Sequence, residues 1–415
     1  VIDLAPVQET SPSPNQDTAL LDLEIRHGSI VRVEAADPLQ PQEHAWDMQG
    51  GQVWPCFVDL HTHLDKGQIW ERAPNLDGRF ATALKTAMAD AVHWTAADLY
   101  ERMDFGLRCS YAQGTQAIRT HLDSADRLGE LTFSVFRELR QAWSSKLTLQ
   151  AACLVPLEYY GTPAGEHLAD VVAESGGVLG GVTWPHPQLP DQIDQLFRLA
   201  QERQLAVDLH VDESLDPQER SLLAIAEGVL RTGFSGQVVC GHCCSLSVQT
   251  AKQLEQILAK VREAGLGIVS LPMVNLYLQD RQPGRTPRLR GVAPIQELAA
   301  AGIPVALASD NCRDPFHAYG DHDGWEIFRE AVRIAHLDSP IGTWPAAVAQ
   351  VPARLMGLAS VGQIGVGLPA DLVLFRGRSF SELLARSQGG RIVLRQGRPI
   401  DTTLPEYDEL DDRPF

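Results

Sequence analysis

The chain has 415 residues, 44% of them apolar and 21% charged, which is ordinary globular composition with enough length for a large core. A formal net charge of −18 argues against a nucleic-acid or anionic-membrane partner, and no apolar run approaches the ~18 residues of a membrane span. The seven cysteines, odd in number and irregularly spaced, read as reduced thiols of a cytoplasmic protein.

No signal-peptide pattern opens the chain, and Val1 reads as a processed or trimmed start, which leaves a lost leader as an open alternative. Residues 1–20, rich in Pro, Ser, Thr, Gln and Asn, read as a loosely packed arm. Residues 21–33 (LDLEIRHGSIVRV) alternate about a His-Gly turn, which predicts a hairpin. After a Pro/Gln-rich stretch, residues 53–66 (VWPCFVDLHTHLDK) form a short apolar run that ends on His61 and His63. Alternate side chains of a strand share a face, so these two imidazoles project together and can chelate one divalent cation.

Helical spacing follows over 81–92 and 96–111, with Thr95 as an N-cap. Strand-like runs then fall at 115–121, 147–156, 180–185, 206–213, 237–242, 267–275 and 304–311, many separated by helical stretches such as 191–203, 221–232, 248–264 and 295–301. With the His-pair run they number eight, and alternation with helices predicts a parallel sheet and a (β/α)8 barrel. From about Gly362 the text returns to short strands with Gly/Pro turns, so both chain ends are expected to build one small β-domain. The expected division is 1–53 for the arm and part of that domain, 54–358 for the barrel, and 359–415 for the remainder and tail.

Barrel chemistry sits where the strands end. The fifth run ends DLHVDE, giving His210 and Asp212 on one face and Glu213 at the exit; the sixth ends on His242 and the eighth on Asp310. Closed into one mouth, His61, His63, His210 and Asp310 offer three imidazoles and a carboxylate, a set suited to zinc or iron with a position left for water. A bound cation lowers the pKa of its water to about 7. Glu213 is then the candidate proton shuttle, His242 a hydrogen-bond partner of the hydroxide or the tetrahedral charge, and Asp310 an orienting group. Singly, each has a bland alternative: a hydrogen-bonded core residue, or for Glu213 a carboxylate at a helix N-terminus.

Other signals carry less. Cys240-Gly-His-Cys243 has redox spacing without a thioredoxin-like βαβ context. His186 lines the mouth or caps a loop, Gly180-Gly181 reads as close packing inside a strand, and Asp321-His322-Asp323 as a solvated loop.

HTH on the first strand, HVDE on the fifth, GH on the sixth and SD on the eighth resemble the amidohydrolase superfamily. More narrowly, RTHLD (119–123), LPMVNLYLQDR (271–281) and SDNCRDPF (309–316) resemble stretches of bacterial cytosine deaminases, whereas GVGLPADLVLF (365–375) is common to the whole superfamily. The resemblance implies a distorted (β/α)8 TIM barrel with a small β-sandwich domain from both chain ends. It also implies one divalent ion per chain on His61, His63, His210 and Asp310, with Glu213, His242 and Asp310 catalytic. No lysine ends the fourth strand to be carboxylated, which fits one metal rather than two. Phe316 falls where an aromatic packs on the substrate ring, and Leu157, Gln279 and His121 are the further candidates for the pocket.

Two departures stand out. Leu157 replaces a glutamine that reads the pyrimidine edge and cannot make its hydrogen bonds, and Asn311 replaces an aspartate, as in related triazine-ring amidohydrolases. The expected activity is therefore hydrolytic deamination of an amino-substituted nitrogen heterocycle, hydroxide attacking the amine-bearing carbon, with cytosine itself in doubt. The alternatives are removal of a substituted amine from a triazine-like ring, as in N-isopropylammelide hydrolysis, or a non-catalytic metal- or nucleobase-binding relative. The expected partner is the small heterocycle, without nucleic acid or membrane; homo-oligomers are common for this architecture, though no residue marks an interface.

Overall fold

The computed structural model describes residues 18–36 and 45–411; most of the expected arm and of the Pro/Gln-rich stretch lies outside them. β1 (Leu21–Arg26) and β2 (Ser29–Ala35) pair antiparallel about His27-Gly28, both at positive φ (51° and 85°), the backbone that a two-residue hairpin turn requires.

The run expected as one strand before the His pair is two. Val53–Pro55 is β3 and Phe57–Thr62 is β4. The hydrogen-bond partner changes between them: Cys56 N donates to Asp371 O, beside the C-terminal strands, and Phe57 N donates to Gly114 O, in the turn that leads into the parallel sheet. Pro55, with no N–H to give, ends the first pairing.

Helices α1 (Phe80–Ala91) and α2 (Ala96–Ala112) follow, the second capped by Thr95, which accepts from Asp98 N. Strands and helices then alternate: β5 (Thr115–Asp123), α3 (Arg127–Trp143), β6 (Thr148–Leu154), α4 (Pro163–Glu174), β7 (Leu179–Val182) and α5 (Leu189–Glu202). The series continues with β8 (Val207–Val211), α6 (Ser221–Thr232), β9 (Val238–His242), α7 (Ala251–Glu263) and β10 (Gly267–Ser270). The expected strand 267–275 stops at Ser270 because Pro272 opens α8 (Pro272–Leu278), where a missing N–H costs nothing. Then come α9 (Ile295–Ala300), β11 (Val305–Leu307), α10 (Gly324–Ala335) and α11 (Gln350–Leu355).

β4, β5 and β6 form one parallel arc, and β7 to β11 another in sequence order. Parallel bridges Ala152–Val178 and Pro156–Val182 join β6 to β7, and Thr62–Asp310 joins β4 to the chain leaving β11. Every residue of β8 to β11 is buried, as expected for parallel strands covered on both faces. Inside, Val58, Leu60, Ala117, Val239, Val269, Ala306 and Ala308 pack with Leu355 and Met356, so α11 and the residue after it plug the end remote from the strand C-termini. The larger apolar layer lies between strands and outer helices.

β12 (Leu372–Leu374), α12 (Phe380–Leu384), β13 (Ile392–Arg395) and β14 (Arg398–Pro399) complete the chain. β14, β13, β12 and β3 form one antiparallel sheet, and Ile30, Leu372, Leu374 and Leu394 share a small core with Leu23, Ile25 and Val53. Both chain ends thus meet there. Trp54 fixes this part to α10 through edge-on contacts with Trp325 and Phe328 (5.7 and 5.1 Å), while Phe375, which follows β12 in the same small sheet, packs on it at 5.8 Å. Among the described residues, no helix is long and apolar enough to cross a membrane.

Candidate active site

The strand exits are where the backbone is most unusual. Asp212, His242 and Asp310 take positive φ (50°, 68° and 61°), a region that side chains other than glycine seldom occupy. Such conformations persist where surrounding bonds over-determine them. Asp310 N donates to His61 O (2.8 Å) and Thr62 Oγ1 donates to Asp310 O (2.9 Å), locking the first and last parallel strands together. Beneath them Asp59 accepts from Ser309 N (3.2 Å) and Ser309 Oγ.

These constraints bring four of the expected residues to one point. His63 Nε2 lies 3.2 Å from Asp310 Oδ1 and 3.2 Å from His210 Nε2, and His61 Nε2 lies 3.7 Å from Asp310 Oδ1. Gly241 makes room: a Cβ there would stand 2.9 Å from His61 Cε1. Burial, reinforced by neighbouring imidazoles and Lys66, holds all three histidines well below their ordinary pKa, so they are neutral. Burial, with Glu213 and Asp314 close by, pushes the Asp310 carboxyl well up. His61 Nε2 and both Asp310 oxygens have no hydrogen-bond partner. Buried polar atoms are rarely left so, and imidazole nitrogens facing one another and a carboxylate at about 3 Å fit a shared divalent cation. The donors present suit that ion.

His242 stands beside this set, its Nδ1 accepting from Asn275 Nδ2 (3.1 Å) and lying 3.3 Å from Glu213 Oε1. Its Nε2 has no partner. Burial, with a smaller push from Glu219, raises the Glu213 carboxyl to about 8. The helix-N-terminal role belongs to its neighbour: Asp212 accepts from Ser221 N (3.0 Å) and Leu222 N (3.1 Å) of α6. Glu213 is thereby left for the mouth.

The pocket candidates fare differently. Gln279 Nε2 donates to Glu213 O (3.2 Å), so this amide holds the backbone of the carboxylate's segment. His121 is fully buried between the rings of His61 and His210 (4.0 and 4.7 Å), with Nε2 3.7 Å from Asp208 Oδ1, whose other oxygen accepts from Arg119 (2.7 Å). Phe316 stands past β11, 5.6 Å from Phe80. Leu157 is not in this company. Gly180 and Val182 pair with Asp208 and His210 and face inward with them, so Gly181 faces outward, and a Cβ there would meet Leu157 Cδ2 at 2.8 Å. Leu157 belongs to the layer between strands and helices, because a 3-10 turn (Leu157–Gly161) begins directly after Pro156.

Several contributors went unremarked in the sequence. Lys66 Nζ bridges Asp123 Oδ1 (2.6 Å) and the back of His63 at Nδ1 (3.5 Å), and Asn275 holds His242. Both lie in stretches already noted, LDK and PMVN, but only the fold says what they touch. Asp321-His322-Asp323 is not solvated: His322 is buried 3.3 Å from Thr62 Oγ1, and Asp323 caps α10 and pairs with Arg391 (2.8 Å). His186 contacts Gln188 and Gln192 (3.2 and 2.8 Å), which makes it a loop cap at α5. The seven cysteines are buried and unpaired, and burial holds the Cys240 and Cys243 thiols far above their ordinary range.

A parallel α/β sheet with buried histidines and an aspartate at its strand exits is the arrangement of metal-dependent hydrolases, and the chain belongs to the amidohydrolase family, whose sequence profile matches residues 83–400. The chain is 50% identical to a pterin deaminase of Rhizobium rhizogenes strain K84 over 404 residues, which is 97% of this chain and 92% of that protein. It is 25% identical to the crystal structure of 5-methylcytosine deaminase from Klebsiella pneumoniae liganded with 5-fluorocytosine, with a TM-score of 0.83 over 93% of this chain and 95% of that one. The N-isopropylammelide isopropylaminohydrolase of Burkholderia multivorans, at 22% identity and a TM-score of 0.75 over 93% and 96% of the two chains, shares the fold.

Proposed function

We propose that the chain is a hydrolytic deaminase of an amino-substituted nitrogen heterocycle of the pterin class, using one divalent ion, zinc or iron, held by His61, His63, His210 and Asp310. The observation that carries this is the cluster of neutral imidazoles and a carboxylate with unpartnered buried atoms, beside a carboxyl raised to about 8. Half-identity to a pterin deaminase along nearly the whole chain supports the choice of ring. We read β4 to β11 as a distorted (β/α)8 TIM barrel and the small sheets as a β-sandwich. The change of hydrogen-bond partner at Cys56–Phe57 supports moving the 53/54 domain boundary there. Buried, unpaired cysteines support a cytoplasmic setting.

Bound at these donors, the ion supplies Lewis acidity and an activated water at neutral pH. Glu213, protonated near neutrality, delivers a proton to a ring nitrogen and makes the amine-bearing carbon electrophilic. Asn275, donating to Nδ1 of His242, leaves the ring proton on Nε2, which can donate to negative charge on the oxygen that adds to that carbon. Asp310 takes one proton from the attacking water and returns it to the amine, which departs as ammonia, while the new hydroxyl gives its own proton to Glu213, restoring that acid as the ring carbon becomes a carbonyl. Lys66 and Gln279 keep His63 and Glu213 in place.

Ammonia release from pterin, isocytosine, cytosine, creatinine and amino-triazines, measured on metal-loaded protein beside Glu213→Gln, tests this. Turnover of pterin with a variant slowed about 10²-fold or more is expected. Release of an alkylamine from a triazine with pterin untouched would overturn it.

A further inference from the structure

One group of side chains at the mouth is unused by this chemistry. Trp184 follows β7, Phe316 follows β11 and Phe80 opens α1. β7 and β11 are the fourth and eighth of the parallel strands, so they stand on opposite sides of the mouth. The three rings nevertheless run edge to face across it, Trp184 to Phe80 at 6.3 Å and 75° and Phe80 to Phe316 at 5.6 Å and 68°.

Each ring hangs from a fixed point close to the donors. Thr183 N and Oγ1 both reach His210 O (3.0 and 3.2 Å), fixing the residue before Trp184 to the strand of a donor. Phe316 N donates to Asp314, whose other oxygen accepts from Asn311, next to Asp310 (2.8 and 2.6 Å). Asn75, buried, sends one amide to both Arg79 O and Pro315 O (3.1 and 2.9 Å), stitching the residue before Phe80 to the residue before Phe316. Trp184 stays 41% exposed. A positioned indole with that much uncovered ring is a stacking surface in want of a ring.

We infer that Trp184 and Phe80 extend Phe316 into an aromatic arch that stacks on the outer ring of a fused bicyclic substrate and so selects it over a single pyrimidine ring. The inference rests on the deaminase reading above and deepens it. The reacting carbon has to lie at the donors on the strand exits, where a one-ring substrate ends. A second fused ring reaches outward into the loop layer, where the arch stands. Stacking there adds binding without touching the reacting atoms, so these are specificity-determining residues.

Calorimetric binding and turnover of pterin and of isocytosine, which carries the same amino-substituted ring without the second one, are compared on metal-loaded wild type, Trp184→Ala, Trp184→Phe and Phe80→Ala. Loss of one stacked aromatic is expected to weaken pterin binding and raise its KM roughly tenfold, with kcat little changed, isocytosine within about twofold, and Trp184→Phe close to wild type. Pterin and isocytosine affected equally, or neither affected, overturns the arch while the deaminase reading stands. Wild type that deaminates neither ring overturns that reading and the arch with it.

Discussion

Asp310 closes the strand seam with its backbone and offers two unpartnered oxygens to the mouth. Asp310→Asn and His210→Ala are therefore expected to drop bound metal well below one per chain by elemental analysis, with activity lost. Glu213→Gln behaves differently: metal is retained and turnover falls. The pH sign for Glu213 is fixed by its raised pKa. Below its ordinary 4.5 the carboxyl is protonated in both folded and unfolded chains; as pH rises toward about 8 only the unfolded chain releases the proton. Metal-free protein should lose stability through that window, and Glu213→Gln should remove that part of the loss, read as Tm against pH. What was legible at this scale was the short-range text. HTH and HVDE put His61 and His210 on strands and His63 and Glu213 just past the strand ends, and the structure brings the three imidazoles within a few ångströms of one another. Leu157 and His322 were illegible because which face a loop residue presents depends on a turn, or on a partner more than 200 residues away.

The segment after β4 owes its position to α2. Arg102 on that helix donates to the backbone oxygens of Asp65 and Gly67 and is itself held by Asp98 (2.6 Å). Burial alone would raise the Asp98 carboxyl, but hydrogen bonds from Arg102 and Arg72 outweigh it and hold it at about 2. The resulting stability is present above the ordinary 3.8 and is lost as pH falls through about 2. Asp98→Asn is expected to cost about 2 kcal/mol at pH 7 by denaturant titration, with the difference from wild type disappearing in strong acid. Period made α2 and α6 readable within a residue or two, with Thr95 marking the start of α2. The apolar run 267–275 is ambiguous between strand and helix, and Pro272 marks where the one gives way to the other.

At the scale of the molecule, the small antiparallel sheet meets α10 through aromatic edges. Trp54→Ala removes contacts to Trp325, Phe328 and Phe375 at once and is expected to destabilise by about 3–5 kcal/mol, visible as a lowered Tm in calorimetry. Removing the metal with a chelator should lower Tm, and adding zinc or iron should restore it in a concentration-dependent way. The alternation of runs disclosed the parallel architecture from the sequence, whereas the joint at Trp54 was hidden because its partners come from helices and strands far along the chain.

The seam between Thr62 and Asp310 joins residues 248 apart in sequence. A growing polypeptide therefore carries His61, His63 and His210 long before Asp310 arrives, and the proposed set of metal ligands is complete only when the last strand locks against the first. On the proposed ligand set, the ion would be a clasp that fastens only once that seam is closed. Its retention reports topological completion, so chains truncated before residue 310 would hold metal loosely however well their earlier strands had folded.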